Sequence, residues 1–150
     1  MAGDEVEPLR LLAQDAEDLE IIAAAVQDAV GRIGDIHYEA PTRQLTLLVN
    51  RYRWEADGKA AERVRAGLQF GSVLSVQARK LRREAPEAVV ELLTIEFEPG
   101  EAPGGAIVLS FAGGGDLRLD VECVDAALAD VSAPWPTKRT PAHEGPAHEG

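Results

Sequence analysis

The sequence has little of what several common protein chemistries need. Its single cysteine, Cys123, excludes an internal disulfide framework and fits a reducing compartment. Aromatic residues are only 5% of the 150, so aliphatic side chains must fill the core of what is expected to be one domain. The longest apolar run, IIAAAV at 21–26, is far shorter than the ~20 residues that span a bilayer. The first residues, MAGDEVEP, are acidic where a secretory signal is basic, so we expect a cytoplasmic protein.

Acidic residues outnumber basic ones by 26 to 15, and the net charge of −11 is unevenly distributed. Residues 51–83 carry nine basic against three acidic side chains, or +6, between strongly acidic flanks. A chain this acidic repels nucleic acid at long range, so nucleic-acid binding is not expected. The basic middle segment is instead the part of the chain that would attract a small anion.

The first forty residues predict a short strand followed by one long amphipathic helix. The strand is LRLLA, at 9–13. Asp15 is the expected N-cap of a helix that ends at Gly31. Within it, Leu19, Ile22 and Val26 recur at helical spacing, which predicts a helix that packs one face on a sheet.

From Ile33 the hydrophobic period changes from 3.6 to 2, which is typical of strands. Segments 34–40 and 44–55 flank the turn PTR as a hairpin. Gly71-Ser72 predicts either a two-residue reversal or a bulge within one long strand. Further strands are predicted at 63–70, 73–81, 89–98, 106–111 and 116–122. VDAALADV, at 124–131, predicts a short C-terminal helix.

Short connections between six or seven strands favour antiparallel pairing. We therefore expect an α+β fold, in which the antiparallel sheet curves into a sandwich or a partly open barrel. The long N-terminal helix packs on this sheet. The expected organisation is a disordered N-terminus at 1–8, a single domain at 9–135 and a disordered tail at 136–150 with a tandem PAHEG repeat.

The candidate catalytic and metal-binding motifs do not meet their structural requirements. In FAGGGD, the glycines at 113–115 lead into Asp116 and a strand, whereas a phosphate-binding loop leads into a lysine and a helix, so a turn is predicted. His143 and His148 are five residues apart across a glycine and a proline, which excludes the helical zinc motif. Cys123 has no neighbouring base. The sequence predicts no catalytic residue, metal or cofactor, although an enzymatic role stays open.

Four arginines in the basic segment are candidates for a binding site. Arg51 and Arg53 alternate along one predicted strand, and Arg63 and Arg65 alternate along the next. If the strands are neighbours, these arginines form a stripe that can bind phosphates or carboxylates through bidentate hydrogen bonds. The alternative is that they pair with the acidic helix and with the Glu-rich segment 84–101, which leaves no free site.

Four long segments of the chain, at 13–38, 45–55, 65–81 and 91–131, resemble family 2948 of the bacterial domains of unknown function, whose members are small, cytosolic and mostly alphaproteobacterial. The likeness covers Leu9 to Trp135 and excludes the PAHEG repeat. It implies no activity, cofactor or catalytic residue, because none is established for the family. The segment LVNRYRW fits the family pattern, which adds Asn50 and Trp54 to Arg51 as residues to test. The segments that carry the likeness are AQDAEDLEIIAAAVQDAVGRIGDIHY, LTLLVNRYRWE, RAGLQFGSVLSVQARKL and ELLTIEFEPGEAPGGAIVLSFAGGGDLRLDVECVDAALADV.

The expected function is that of a non-catalytic module that binds a protein partner or associates with itself. The contact surface would be an exposed edge strand or the arginine stripe. The alternative is a small-anion or metabolite-binding protein, open to an enzymatic role, in which the arginine-lined strand face holds the ligand. In that case His37 or Tyr38 is expected to lie near the ligand.

Overall fold

The computed structural model describes residues 7–55 and 61–137. Most of the predicted disordered N-terminus and tail, including the PAHEG repeat, lies outside these residues. The described part contains one α-helix, one short 3₁₀ helix and ten strands. The helix α1 is Ala16–Ala25, and the 3₁₀ helix is Ala40–Thr42. The strands are β1 Arg10–Ala13, β2 Val30–Glu39, β3 Gln44–Tyr52, β4 Glu62–Phe70, β5 Val73–Arg79, β6 Val89–Pro99, β7 Gly105–Phe111, β8 Asp116–Val121, β9 Ala126–Asp130 and β10 Trp135–Pro136.

The strands form one antiparallel sheet in the order β1-β9-β4-β3-β2-β6-β7-β8-β5, and β10 also pairs with β4. The sheet is not closed, since the order begins at β1 and ends at β5. Along this order from β1 to β5, the narrowest join is between β2 and β6, where Val30–Arg32 pair with Val89–Glu91. This join divides the sheet into a wide half (β1, β9, β4, β3, β2 and β10) and a narrow half (β6, β7, β8 and β5). The prediction of an antiparallel, sheet-rich fold with an N-terminal helix is confirmed, but the predicted count of six or seven strands is wrong.

The helix begins where the sequence predicts and ends earlier. Asp15 is the N-cap, and its side chain accepts a hydrogen bond from the Asp18 N–H at 2.8 Å. The helix ends at Ala25 rather than at Gly31, because Asp28 adopts a left-handed conformation with φ of 64°. The chain then turns onto β6: the Asp28 N–H donates to the Leu92 carbonyl at 2.8 Å, and Val30 begins a strand.

The predicted C-terminal helix is wrong, because this segment forms β9. Ala126 and Leu128 are buried, while Ala127 and Ala129 are partly exposed, so the segment alternates with the period of a strand. β9 lies between β1 and β4 and pairs with both. Pairing on both sides outweighs the helical preference of an alanine-rich sequence.

The hairpins at PTR and at the glycine run are confirmed, and the reversal at Gly71-Ser72 is not. β7 and β8 pair across the glycines, and Gly113 and Gly114 have φ of 92° and 97°, which glycine adopts readily. β4 and β5, by contrast, do not pair with each other. Ser72 has φ of 57°, and it lies where the chain passes from β4 of the wide half to β5 of the narrow half.

The core lies between the inner faces of the two halves and α1. One buried cluster contains residues of α1 such as Ile22, of the wide half such as Leu47, and of the narrow half such as Leu109. We call the face of each half that contacts this cluster its inner face and the opposite face its outer face. Within the described ranges, no helix is long and apolar enough to cross a membrane.

Candidate functional site

The structure separates the predicted arginine stripe into two faces. β3 and β4 are neighbours, and Tyr52 pairs with Arg63. Arg51 lies on the inner face of β3, because it continues the alternation of its buried residues, and its side chain is 0% exposed. Arg63 and Arg65 alternate with buried residues of β4 and lie on the outer face. Arg53 follows β3 and forms an ion pair with Glu62.

Arg51 is held entirely within the protein. Its guanidinium binds Asp130 through two hydrogen bonds, of 2.9 and 3.0 Å, and Glu55 through two more, of 2.7 and 3.0 Å. The fifth N–H donates to the Tyr52 carbonyl at 3.3 Å. Asp130 also accepts the Leu9 N–H at 2.9 Å, so this cluster joins β1, β3 and β9. All five N–H groups of Arg51 are used, which leaves no donor for a ligand.

The protonation behaviour of this cluster follows from its contacts. Burial alone would lower the pKa of Arg51, but the hydrogen bonds to Glu55 and Asp130 outweigh burial and raise it. The hydrogen bond from Arg51 lowers the pKa of Glu55, against the opposing effect of burial. Both groups are therefore charged, and their role is to hold strands together.

The remaining predicted site residues lie on the outer face of the wide half or at its edge. Arg65 donates to the Asn50 side-chain oxygen at 3.3 Å, and Arg63 donates to the Asn50 carbonyl at 3.0 Å. Burial lowers the pKa of Arg63, and nearby carboxylates oppose this effect. The Trp54 indole donates to the Gln27 carbonyl at 3.3 Å. Asn50, Arg63 and Arg65 thus form a local cluster, for which a binding role stays a prediction.

A larger candidate site lies between the halves. It is a cavity of about 560 Å³, which is within the ~300–1,000 Å³ that small-molecule sites occupy. We call it the seam cavity, because it lies where β2 and β5 face each other without pairing. It is lined by Ile33, Gly34, Ile36, His37, Tyr38, Leu45, Val76, Ala78, Leu81, Arg83, Pro86 and Leu117.

The local backbone explains why this gap exists. Beyond Arg32, β2 leaves β6 and binds the segment between β5 and β6 instead. The Ile33 N–H donates to the Ala88 carbonyl at 2.9 Å, and the Gly34 N–H donates to the Pro86 carbonyl at 2.7 Å. A Cβ atom at Gly34 would lie 3.0 Å from Pro86, so this close approach favours glycine. Because β5 pairs with β8 and with no other strand of the described ranges, a space remains between β5 and β2.

A second bridge joins the two halves at another wall of the cavity. The Tyr38 hydroxyl, on β2, donates to the Val73 carbonyl, on β5, at 2.8 Å. The Val73 N–H donates to the Arg43 carbonyl at 2.9 Å. The Gly34–Pro86 contact and the Tyr38–Val73 contact thus both connect the wide half to the segment that begins with β5. Hydrogen bonds to backbone carbonyl groups therefore connect the two halves at both of these places beside the cavity.

The lining is apolar in its depth and polar at its mouth. The apolar lining residues Ile36, Val76 and Leu81 are partly buried, whereas His37 and Arg83 are exposed. The Tyr38 hydroxyl is engaged by the backbone, so His37 and Arg83 are the lining side chains with polar groups available to a ligand. Sequence reasoning missed this site, since a cavity between unpaired strands can be located only when the strand order is known.

The described ranges contain no assembled metal site, cysteine–histidine pair or phosphate-binding loop. Residues 7–55 and 61–137 contain no group of three or more His, Cys, Asp or Glu side chains that could hold a metal ion. The Cys123 thiol lies 3.8 Å from the Ser72 hydroxyl, and no hydrogen bond in these ranges joins it to His37. After the glycine run, Asp116 forms an ion pair with Arg79 at 2.6 Å rather than opening a helix.

Comparison with known proteins gives one match. No curated protein and no solved structure matches the chain. Residues 9–143 match a family described as "Protein of unknown function (DUF2948)". The match begins at the predicted boundary, Leu9, but it extends beyond Trp135 to His143, within the first copy of the PAHEG repeat that the resemblance was expected to exclude. This match covers most of the 150 residues. The chain therefore belongs to the DUF2948 family of proteins of unknown function.

Proposed function

We propose that the protein is a non-catalytic, cytoplasmic binding protein that takes a small, largely apolar ligand into the seam cavity. The observation that carries this proposal is the cavity itself, about 560 Å³ in volume, between two sheet halves that are bridged by backbone hydrogen bonds. Small-molecule sites are typically concave, mostly apolar and equipped with a few polar groups. This site also accounts for the expected nearness of His37 and Tyr38 to a ligand.

The size of the cavity sets the expected affinity. A ligand of about ten non-hydrogen atoms, at roughly 0.4 kcal/mol per atom, gains about 4 kcal/mol on binding. This corresponds to a Kd on the order of 1 mM. Tighter binding requires a larger apolar body or a polar contact at the mouth of the cavity.

A titration of the ¹⁵N-labelled protein with 1-octanol tests the proposal. We expect saturable shifts of amide resonances around the cavity, including that of Gly34. Ala78→Leu fills part of the cavity from β5 and is expected to weaken octanol binding about tenfold. Ala127→Leu makes the same change on the outer face of β9 and is the matched control.

Two results would contradict the proposal. One is the absence of saturable octanol binding to the wild-type protein. The other is equal affinity of wild type, Ala78→Leu and Ala127→Leu, since binding would then not involve the cavity. Thermal unfolding of each unliganded variant verifies that the substitution preserves the fold.

A second candidate function is self-association through the outer face of the wide half. Two exposed arginines there, Arg10 and Arg32, form no ion pair among the described residues. They lie beside the exposed apolar side chains of Leu12 and Val89, which are 75% and 65% exposed. An acidic surface would complement these cations, and a second copy of this chain, with a net charge of −11, carries such surfaces. The cluster of Asn50, Arg63 and Arg65 lies on the same face.

A further inference from the structure

We infer that the seam cavity selects ligands with an anionic head group, and that Arg83 binds this group. The ligand class is a small monocarboxylic acid with an apolar body. This inference rests on the proposed function and adds to it the charge of the ligand and the residue that recognises it.

The permanent charge in the described lining of the cavity is positive. Arg83 is the one lining residue with a permanent charge, and no aspartate or glutamate lines the cavity. His37 presents an imidazole N–H at the same mouth. A carboxylate placed there would meet hydrogen-bond donors and no negatively charged side chain of the described lining, whereas an ammonium group would meet a like charge.

Two arginines close to Arg83 in the sequence form ion pairs, and Arg83 does not. Arg79 forms an ion pair with Asp116 at 2.6 Å, and Arg82 forms one with Glu84 at 3.8 Å. Among the described residues, the Arg83 guanidinium forms no ion pair and no side-chain hydrogen bond. Its planar fork of donors matches a carboxylate in bidentate geometry. The charge of Arg83 is therefore available to a ligand.

The depth of the cavity requires that the anion have an apolar body. Ile36, Val76 and Leu81 line the cavity with apolar side chains that are only partly buried, so they offer apolar surface to a ligand. A bare inorganic anion would leave this apolar region unfilled and would be desolvated only in part. An alkyl chain fills it while its carboxylate reaches Arg83 at the exposed mouth. The gradient from partly buried apolar to exposed cationic side chains matches an amphipathic acid.

Titrations with octanoate, 1-octanol and acetate separate the two parts of such a ligand. For the wild-type protein at low ionic strength we expect octanoate to bind about tenfold more tightly than octanol, and acetate to bind much more weakly than either. Arg83→Gln is expected to remove the tenfold preference and to leave octanol affinity unchanged. Arg82→Gln removes a neighbouring exposed charge that does not line the cavity, and it should behave like wild type.

The possible failures are distinguishable. Equal affinity for octanoate and octanol in the wild-type protein overturns the anionic selectivity and leaves the proposed function intact. Equal losses in Arg82→Gln and Arg83→Gln assign the effect to general surface charge and also overturn the inference. Acetate binding as tightly as octanoate would mean an adventitious ion only. If neither octanol nor octanoate binds, the proposed function fails as well.

Discussion

The outer faces of the two sheet halves differ in whether their exposed arginines form ion pairs. In the narrow half, Arg118 on β8 pairs with Glu98 on β6 at 2.9 Å, and the Ser75 hydroxyl donates to Asp120 at 2.9 Å. The narrow half thus pairs charges across its own strands. The outer face of the wide half pairs Arg65 with Asp35 at 3.5 Å but leaves Arg10 and Arg32 without an ion pair among the described residues.

The inner faces differ at one position. The inner face of the narrow half is apolar, with residues such as Leu109 and Leu119. The inner face of the wide half is apolar up to Arg51, which lies buried against Asp130 and the partly exposed Glu55. The difference teaches that the net charge of a segment does not indicate a binding surface. The basic segment 51–83 contains both the structural Arg51 and Arg83, whose guanidinium forms no ion pair among the described residues.

The largest expected effect comes from removing the buried arginine. Arg51→Met is expected to lower the free energy of unfolding by about 3–5 kcal/mol, because it leaves the carboxylate of Asp130 buried without its partner. Arg118→Met makes the same change in the exposed pair of the narrow half and is expected to cost about 1 kcal/mol or less. Urea unfolding measures both values, and similar losses in the two variants would remove the distinction between the halves.

A smaller effect is expected from the outer faces. If the wide half mediates self-association, the double variant Arg10→Gln, Arg32→Gln is expected to weaken association about tenfold, because it removes the available cations. The double variant Arg79→Gln, Arg118→Gln makes equal changes in the narrow half and should associate like wild type. Sedimentation over a wide protein concentration range measures this. A wild-type protein that stays monomeric throughout rules out the second candidate function.

The smallest effect concerns acid stability. Since Arg51 lowers the pKa of Glu55 from its ordinary value of 4.5, the pair stabilises the fold fully above that value. This stabilisation is lost as the pH falls through the lower pKa of the folded state. It is expected to be about 1 kcal/mol or less, because the Glu55 side chain is 40% exposed.

The variant Glu55→Gln should therefore lose less stability than wild type between about pH 5 and pH 3. Thermal unfolding across this range measures the difference, with Glu98→Gln in the exposed pair of the narrow half as the control. Parallel curves for wild type and Glu55→Gln would show that the cluster does not couple to pH.

Local features were predictable where neighbouring residues determine them. The N-cap at Asp15, the hairpin around PTR and the glycine turn all depend on a few consecutive residues, and all are present. The alternation along β3 also indicated that Arg51 is buried, since Arg51 continues the odd-numbered series of Leu45, Leu47 and Val49. The predicted stripe placed each pair of arginines on one face of its strand, but it did not consider that these two faces lie on opposite sides of the sheet.

Features that depend on distant segments were not predictable. β9 is a strand only because β1 and β4 pair with it from both sides. The seam cavity exists because β2 and β5 do not pair, which no local pattern along either strand indicates. The family resemblance was confirmed, but it implied no site and therefore did not indicate the cavity.

The strand order has a consequence for synthesis on the ribosome. The narrow half is built from one continuous stretch, 73–121, while the wide half needs residues from both ends of the chain, because β9 lies between β1 and β4. The early segment from β1 to β4 cannot complete its sheet until Ala126–Asp130 has emerged. Until then β1 has no neighbouring strand among the described ones, so a chain that has emerged only as far as residue 125 has all strands of the narrow half but an open wide half.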